Sequence, residues 1–261
     1  AIPARGCLAA LTVAGAVSGW QAALDVSQKE WGGKLPLARL LEDAIFYAED
    51  GVAVTRTLAE NASAKRAELE GSPGFIENFF IDGEPPTQGE RFRQPRIAAT
   101  MKRLINAGLD DFYRGDLARS IAADLERAGS PLRYEDLERH RALRLTPLSL
   151  DVAGHKVFNM PPPTQGLASL LLLGVYERLG VTEAESFEYV HGLVEATKRA
   201  FRVRDSVVTD PAYMDVNPAS YLVASVLDEM ASDINPSQAL DWPEASTKGD
   251  TVWLGAVDKE G

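Results

Sequence analysis

The stretch 249–258 holds the residue with the clearest potential for chemistry. Gly249 and Asp250 form a turn-like entry into a short apolar run that is typical of a buried strand, and Thr251 stands at its first position. The hydroxyl of Thr251 could simply cap or pack. It could also attack the carbonyl of Asp250, and cleavage of that bond would free an α-amino group on Thr251. Such an amine has a pKa of about 7.7–8, so it can act as the base for its own hydroxyl.

The other nucleophile and metal-ligand candidates fit structural roles better. Thr247 is a rival nucleophile, but Lys248 and Gly249 follow it in place of a strand. The three histidines lack the spacing of metal ligands, so we expect surface or core positions for them and no metal site. They are His140, His155 and His191.

Acidic and basic residues between 195 and 210 form two groups. Glu195, Lys198 and Arg199 follow one another at intervals of three and four, so we expect ion pairs along a solvated helix face. Asp205 and Asp210 flank a predicted turn, where we expect both carboxylates to be structural hydrogen-bond acceptors rather than acid or base catalysts.

Charge and composition limit the possible partners. The 261 residues carry a net charge of −11 and a pI of about 4.8, which argues against a nucleic-acid partner because no basic surplus can displace counterions. No apolar run reaches transmembrane length. Cys7 is the single cysteine, so we expect neither an intrachain disulfide nor a cysteine-based metal site, and no cofactor. The compartment, periplasm or cytoplasm, stays open.

Hydrophobic periodicity predicts a helix-rich chain with one hairpin. A strand is expected at 7–13, an ordered loop at 71–94, a turn at 111–115 and a hairpin between strands ending at 152 and starting at 155. Prolines 161–163 could form a polyproline ligand, but a rigid strand-to-helix corner is favoured. Helices are expected at 18–28, 36–51, 55–69, 95–108, 116–128, 134–140, 167–179, 181–204 and 218–230.

Several short motifs, in this order and spacing, resemble those of one family. They lie at 13–20, 94–100, 112–115, 134–137, 160–166 and 195–201, followed by Arg204-Asp205 and Asp210-Pro211. Together they resemble the γ-glutamyltranspeptidase family of N-terminal nucleophile hydrolases, over nearly the whole chain. The chain starts without an initiator methionine and stops just after the predicted strand, so we expect it to be a piece of a longer protein.

The resemblance implies an α+β fold, a four-layer αββα sandwich, with mostly its helix-rich large-subunit part in this chain. It implies a proenzyme that cuts itself before a Thr into a large and a small subunit, which stay associated. Thr251 matches the nucleophile and Asp250–Thr251 the processing bond. Residues 1–250 would then belong to the large subunit, without its N-terminal part, and 251–261 would begin the small subunit. The implied reaction is hydrolysis or acyl transfer at γ-glutamyl or related small amides, through a Thr acyl-enzyme.

Departures from the family pattern bear on the substrate. Val252, Trp253 and Gly255 stand where the family usually has Thr, His and Ser, and Thr164-Gln165-Gly166 replaces Ser-Ser-Gly. This resembles the subgroup of simple amide hydrolases, such as oxamate amidohydrolase-like members, more than a glutathione-cleaving transpeptidase. A diverged, non-catalytic scaffold is the alternative from a different class. The family's substrate-carboxylate Arg and oxyanion-hole glycines would lie outside 1–261.

Overall fold

The computed structural model describes residues 2–3, 6–9, 11–242, 255–257 and 259, and it divides the chain into two compact units, Ala1–Arg144 and Leu145–Gly261. Helices dominate both units. Among the described residues, β-structure consists of two antiparallel strand pairs and one isolated bridge. The predicted α+β, helix-rich class is confirmed. None of the helices in the described ranges is long and apolar enough to cross a bilayer.

Helices of the first unit begin and end at residues suited to those positions. Pro95 occupies the first turn of α5, and Gly108 ends that helix with a φ of 88° while its amide donates to the Leu104 carbonyl. Thr55 caps α3 by accepting the Leu58 amide at 3.1 Å. The elements are α1 (Ala16–Glu30), α2 (Leu37–Asp50), β1 (Val52–Ala53), α3 (Arg56–Leu69), α4 (Phe75–Phe79), β2 (Arg91–Phe92), α5 (Pro95–Ala107), α6 (Asp111–Arg114), α7 (Asp116–Arg127) and α8 (Tyr134–Arg139).

A small apolar cluster joins the helices of this unit. Val17 of α1 packs with Leu104 of α5, with Leu109 after it and with Tyr113 of α6. Val13, just before α1, also packs against this cluster. Helix α2 packs along α5, and β1 pairs antiparallel with β2. The cluster therefore brings the chain before α1 next to residues 108–115.

The second unit opens with the predicted hairpin. Strand β3 (Leu148–Val152) pairs in register with β4 (His155–Asn159), from Leu148 opposite Asn159 to Val152 opposite His155. The two turn residues, Ala153 and Gly154, both have positive φ, 51° and 78°, as a type I′ turn requires. The hairpin prediction is confirmed.

An almost wholly apolar helix forms the core of the second unit. Helix α9 (Gly166–Arg178) buries Leu167, Leu170, Leu171 and Val175 completely. A helix that is apolar over most of its surface has to be covered over most of it, and in α9 the exposed positions are confined to the stripe of Ser169, Leu173 and Glu177. It packs against β3, β4, α10 (Phe187–Val207) and α11 (Ala224–Ser232).

Several local predictions were wrong. The loop expected at 71–94 contains α4 and β2, and the helix expected at 181–204 begins only at Phe187. The expected strand at 7–13 is absent from its described residues, and a short 3₁₀ helix, Cys7–Ala9, follows Gly6, whose φ is 87°. The turn at 111–115 is the one-turn helix α6. The helix at 218–230 is broken because Val223 is extended (ψ 149°), which separates a 3₁₀ helix, Pro218–Leu222, from α11. The helix expected at 18–28, for which Ser18 is a plausible N-cap in the sequence, already begins at Ala16, so Ser18 lies inside α1 and does not cap it.

Candidate active site

The predicted processing bond, Asp250–Thr251, and the rival Thr247 lie outside the described residues. The structure does describe the segment that leads to them, from Asp233 at the end of α11 to Trp242. We call residues 233–242 the lead-in segment. It contains neither helix nor strand, so its position depends on side-chain contacts from elsewhere in the unit.

Helix α10 supplies those contacts through a buried ionic cluster. Glu195 is 1% exposed and accepts hydrogen bonds from Lys198 at 2.7 Å and Arg199 at 2.9 Å. The expected ion pairs at intervals of three and four are thus confirmed. The expectation of a solvated face was wrong, because this face of α10 turns inward.

The inward orientation has a sequence signal that charge spacing alone misses. The small residues Gly192, Ala196 and Ala200 recur at intervals of four along the same stretch, and all three are buried. Glu195 lies three residues after Gly192, and Arg199 lies three residues after Ala196, so both lie on the same side of the helix as the small residues. A row of small residues beside the charges indicates close packing rather than solvent.

The carboxylate of Glu195 stays ionised in this environment. Burial opposes ionisation, but the hydrogen bonds from Lys198 and Arg199, together with the Leu240 amide, outweigh it and lower the pKa of Glu195. A buried carboxylate that keeps its charge is a strong acceptor for a backbone N–H.

Leu240 in the lead-in segment is held on both sides of its own backbone. Its amide donates to Glu195 Oε1 at 3.1 Å, and its carbonyl accepts from Lys198 Nζ at 2.6 Å. Further upstream, the Asp233 carbonyl accepts from Arg199. The Asn235 carbonyl accepts from His191 Nε2 at 2.8 Å. One face of α10 therefore anchors the lead-in segment at three of its residues.

The histidines occupy structural positions, as expected. His191 stacks on Phe187 at 5.2 Å between ring centroids in addition to its bond to the lead-in segment. His140 stacks on Tyr113 at 5.1 Å and lies 2.9 Å from Ser18 Oγ, while His155 is exposed at the start of β4. Within the described ranges, no three His, Cys, Asp or Glu side chains are grouped as metal ligands would be.

The proline segment makes the predicted corner between β4 and α9. Thr164 Oγ1 donates to the Met160 carbonyl at 2.9 Å and accepts the Gly166 amide at 3.2 Å. A Cβ on Gly166 would lie 2.0 Å from the Met160 oxygen, so the corner closes only with glycine there. Gln165 Oε1 accepts from Arg204 at 3.0 Å, which ties the corner to α10.

The two aspartates that were expected to flank a turn act as hydrogen-bond acceptors. Asp205 lies in the last turn of α10 rather than beside a turn, and it accepts from Arg204 Nε at 2.7 Å. Asp210 follows α10 and accepts the Ala212 amide at 2.9 Å, which starts a short 3₁₀ helix. The expected role as acceptors is confirmed for both.

Tyr113 connects two of the sequence motifs, a role that sequence reasoning missed. It is 1% exposed, and its hydroxyl donates to the Ala14 carbonyl at 2.8 Å and accepts the Ser18 amide at 3.0 Å. The motif at 112–115 thus fixes the motif at 13–20. Both were visible in the sequence, but nothing in their spacing indicates that they touch across 95 residues.

The whole chain matches one protein family. Residues 1–261 match the family model described as Gamma-glutamyltranspeptidase. The oxamate amidohydrolase proenzyme of Klebsiella pneumoniae subsp. pneumoniae is 47% identical over 260 residues, which cover 100% of this chain and 49% of that protein. The glutathione hydrolase-like YwrD proenzyme of Bacillus subtilis is 35% identical over 263 residues, with coverage of 100% and 49%.

A solved structure has the same fold. The γ-glutamyltranspeptidase from Pseudomonas nitroreducens, complexed with L-DON, is 30% identical to the chain with a TM-score of 0.76, and the match covers 88% of this chain and 67% of that one. The chain spans about half the length of the two curated relatives. The similarity therefore extends along the whole of this sequence and about half of each relative.

Proposed function

The chain belongs to the γ-glutamyltranspeptidase family, and we propose on that premise that it is part of an enzyme that hydrolyses small amides through Thr251. The observation that carries the proposal is 47% identity along the entire chain to a proenzyme named for amide hydrolysis. The fold matches that of a family structure, and the lead-in segment before Thr251 is anchored by a dedicated set of bonds.

Maturation is the first of two reactions that use Thr251. The hydroxyl of Thr251 attacks the Asp250 carbonyl, and the peptide bond between them is exchanged for an ester as the Thr251 nitrogen leaves. Water then hydrolyses the ester, which yields the Asp250 carboxylate and a free Thr251 amine. Residues 1–250 become the end of the large subunit and Thr251 begins the small subunit, and the two stay associated.

Turnover repeats the same attack on a substrate amide. The Thr251 amine accepts the hydroxyl proton as the oxygen attacks, and it returns a proton to the leaving amine. The acyl-enzyme ester is then hydrolysed by water. Donors to the developing oxyanion contribute a factor of about 10²–10³ in such reactions. No step draws on a cofactor, because Thr251 supplies both nucleophile and base.

We propose a small amide such as oxamate as the preferred substrate class. The similarity to the Klebsiella protein supports it, and so do the departures at Val252, Trp253 and Gly255, which replace the polar residues of the usual transpeptidase pattern. A γ-glutamyl amide is the second candidate, supported by the 35% identity to the Bacillus glutathione hydrolase-like proenzyme.

The test uses the full-length protein, with Thr251→Ala and the matched control Thr247→Ala. We expect intact mass and N-terminal sequencing to show a piece starting Thr-Val-Trp-Leu-Gly in the wild type and in Thr247→Ala, and a single uncut chain in Thr251→Ala. The cut protein should release ammonia from oxamate faster than it releases glutamate from glutathione.

Three results would count against the proposal. An uncut wild type would favour a non-catalytic scaffold. A cut that persists in Thr251→Ala would place the nucleophile elsewhere. Faster release of glutamate than of ammonia would reverse the order of the two substrate classes while leaving Thr251 in its role.

A further inference from the structure

A closed ring of polar contacts surrounds the Leu240 backbone. Glu195 Oε1 accepts from both Lys198 Nζ (2.7 Å) and the Leu240 amide (3.1 Å), and Lys198 Nζ also donates to the Leu240 carbonyl (2.6 Å). We call Glu195, Lys198 and the Leu240 backbone the clamp. Because Glu195 and Lys198 hydrogen-bond both the N–H and the C=O of Leu240, they fix the orientation of that residue as well as its place.

The clamp holds the lead-in segment by its backbone at Leu240. A buried carboxylate requires hydrogen-bond donors, and the backbone groups of an irregular segment require partners of their own. Glu195 and Lys198 supply these partners for both the N–H and the C=O of Leu240, so they fix the place and the direction of the chain at that residue. The chain continues from Leu240 towards Asp250.

The length of chain between the clamp and Asp250 sets how much the clamp could speed cleavage by tethering alone. Asp250 is the tenth residue after Leu240, so an extended chain reaches about 35 Å from the clamp. Without the clamp the next anchor is Asn235, fifteen residues from Asp250. Since the local concentration of a tethered group falls roughly as the −3/2 power of tether length, the longer tether alone would slow cleavage only about twofold.

We propose that Glu195 and Lys198 are positioning residues for maturation, which present the Asp250–Thr251 bond for cleavage by fixing the place and direction of the lead-in segment at Leu240. The inference depends on the proposed autocleavage at Thr251. It assigns a function to a buried ionic cluster that has no role in the turnover steps proposed above. Because misplacement of reacting groups by about 1 Å can cost a factor of about 10², we expect the effect of orientation to exceed the effect of length.

The experiment measures cleavage and turnover separately on the full-length chain. Leu240→Pro removes the N–H that Glu195 accepts and leaves every ion pair in place. Ala239→Pro, at an exposed neighbour whose amide makes no hydrogen bond among the described residues, is the matched control. Lys198→Met removes the donor to the Leu240 carbonyl as a second, independent break. Intact mass follows the uncut fraction with time, and ammonia release from oxamate is measured per cut chain.

We expect Leu240→Pro and Lys198→Met to be cut at least tenfold more slowly than the wild type and Ala239→Pro. Turnover per cut chain should stay within twofold in all four proteins. Slowing of twofold or less, equal slowing in Ala239→Pro, or a parallel loss of turnover per cut chain would overturn the positioning role. An uncut wild type would instead overturn the proposed function itself, so the two failures are distinguishable.

Discussion

Replacing Glu195 by Gln removes the central charge of the α10 cluster with almost no change in shape. The carboxylate accepts from Lys198, Arg199 and the Leu240 amide, and an amide side chain has one oxygen for these three donors. If that oxygen faces Lys198 and Leu240, the NH₂ group faces Arg199, and two donors point at each other. Arg199, itself buried, is then left without its carboxylate.

The expected loss in the free energy of unfolding follows from the number of hydrogen bonds and ion pairs that Glu195→Gln changes. Losing one hydrogen bond between charged groups costs about 1.5–3 kcal/mol, and breaking a buried ion pair by removing one partner costs about 3–5 kcal/mol. Glutamine keeps one acceptor, so we expect a loss near the lower end of the second range, about 3 kcal/mol. That loss would lower Tm by about 6–12 °C in a protein of 150–250 residues and by less in a longer one, so we expect a fall of less than about 12 °C in the full-length protein.

The assay is thermal and urea denaturation of the full-length protein in a Thr251→Ala background, which keeps every sample uncut. Glu229→Gln, an exposed glutamate on α11 in the same unit, is the matched control and should change stability by less than about 0.5 kcal/mol. A loss of less than about 1 kcal/mol in Glu195→Gln would refute the claim that the cluster is a satisfied buried ion network.

The pH dependence of this difference has a definite sign. The pKa of Glu195 is lowered in the folded protein, so folding favours the ionised form. The ionised Glu195 carboxylate therefore makes its full contribution to the free energy of unfolding above the unfolded pKa of about 4.3, and this contribution is lost as the pH falls through the folded pKa. The stability gap between wild type and Glu195→Gln should be constant from pH 8 to pH 5 and should narrow below about pH 4.

Three further variants test local packing and hydrogen bonding by the same denaturation assay. Gly166→Ala should destabilise the protein by about 1–3 kcal/mol or more, because the added Cβ would lie 2.0 Å from the Met160 carbonyl oxygen. Gly19→Ala is the control: its Cβ enters open space in α1, so the variant should be stabilised by up to about 1 kcal/mol. Equal effects of the two substitutions would contradict this difference. Tyr113→Phe should cost about 1–3 kcal/mol, because the Ala14 carbonyl and Ser18 amide lose their partner, and an unchanged stability would show that this hydroxyl does not join the two motifs.

The sequence predicted most helices and strands whose ends are determined by the residues at those ends. Pro95 and Gly108 set the ends of α5, and the two-residue turn at Ala153-Gly154 set the hairpin. The prediction failed where the conformation depends on residues far away in the sequence. The expected strand at 7–13 pairs with no strand among the described residues, and the break at Val223 has neither a proline nor a glycine at that position to announce it.

In the candidate site, too, contacts between neighbouring turns of a helix were predictable, and contacts with a distant segment were not. The ion pairs of Glu195 follow from helical spacing and were predictable, but whether that face meets solvent or protein depends on a segment more than thirty residues further along the chain. The lead-in segment, for its part, shows no periodicity from which a contact could be inferred. Its polar backbone groups nevertheless require partners, and Asp233, Asn235 and Leu240 find them on α10.

The clamp and the residues after Thr251 bear on different stages of the proposed reaction. The departures at Val252, Trp253 and Gly255 alter side chains beside the nucleophile, where they would affect which acyl group is accepted. The bonds at Leu240 precede the bond to be cut and can act only on its presentation. Under the two proposals, substrate choice and maturation in this chain therefore depend on different residues. A clamp variant that is cut slowly but then turns over normally would demonstrate this separation directly.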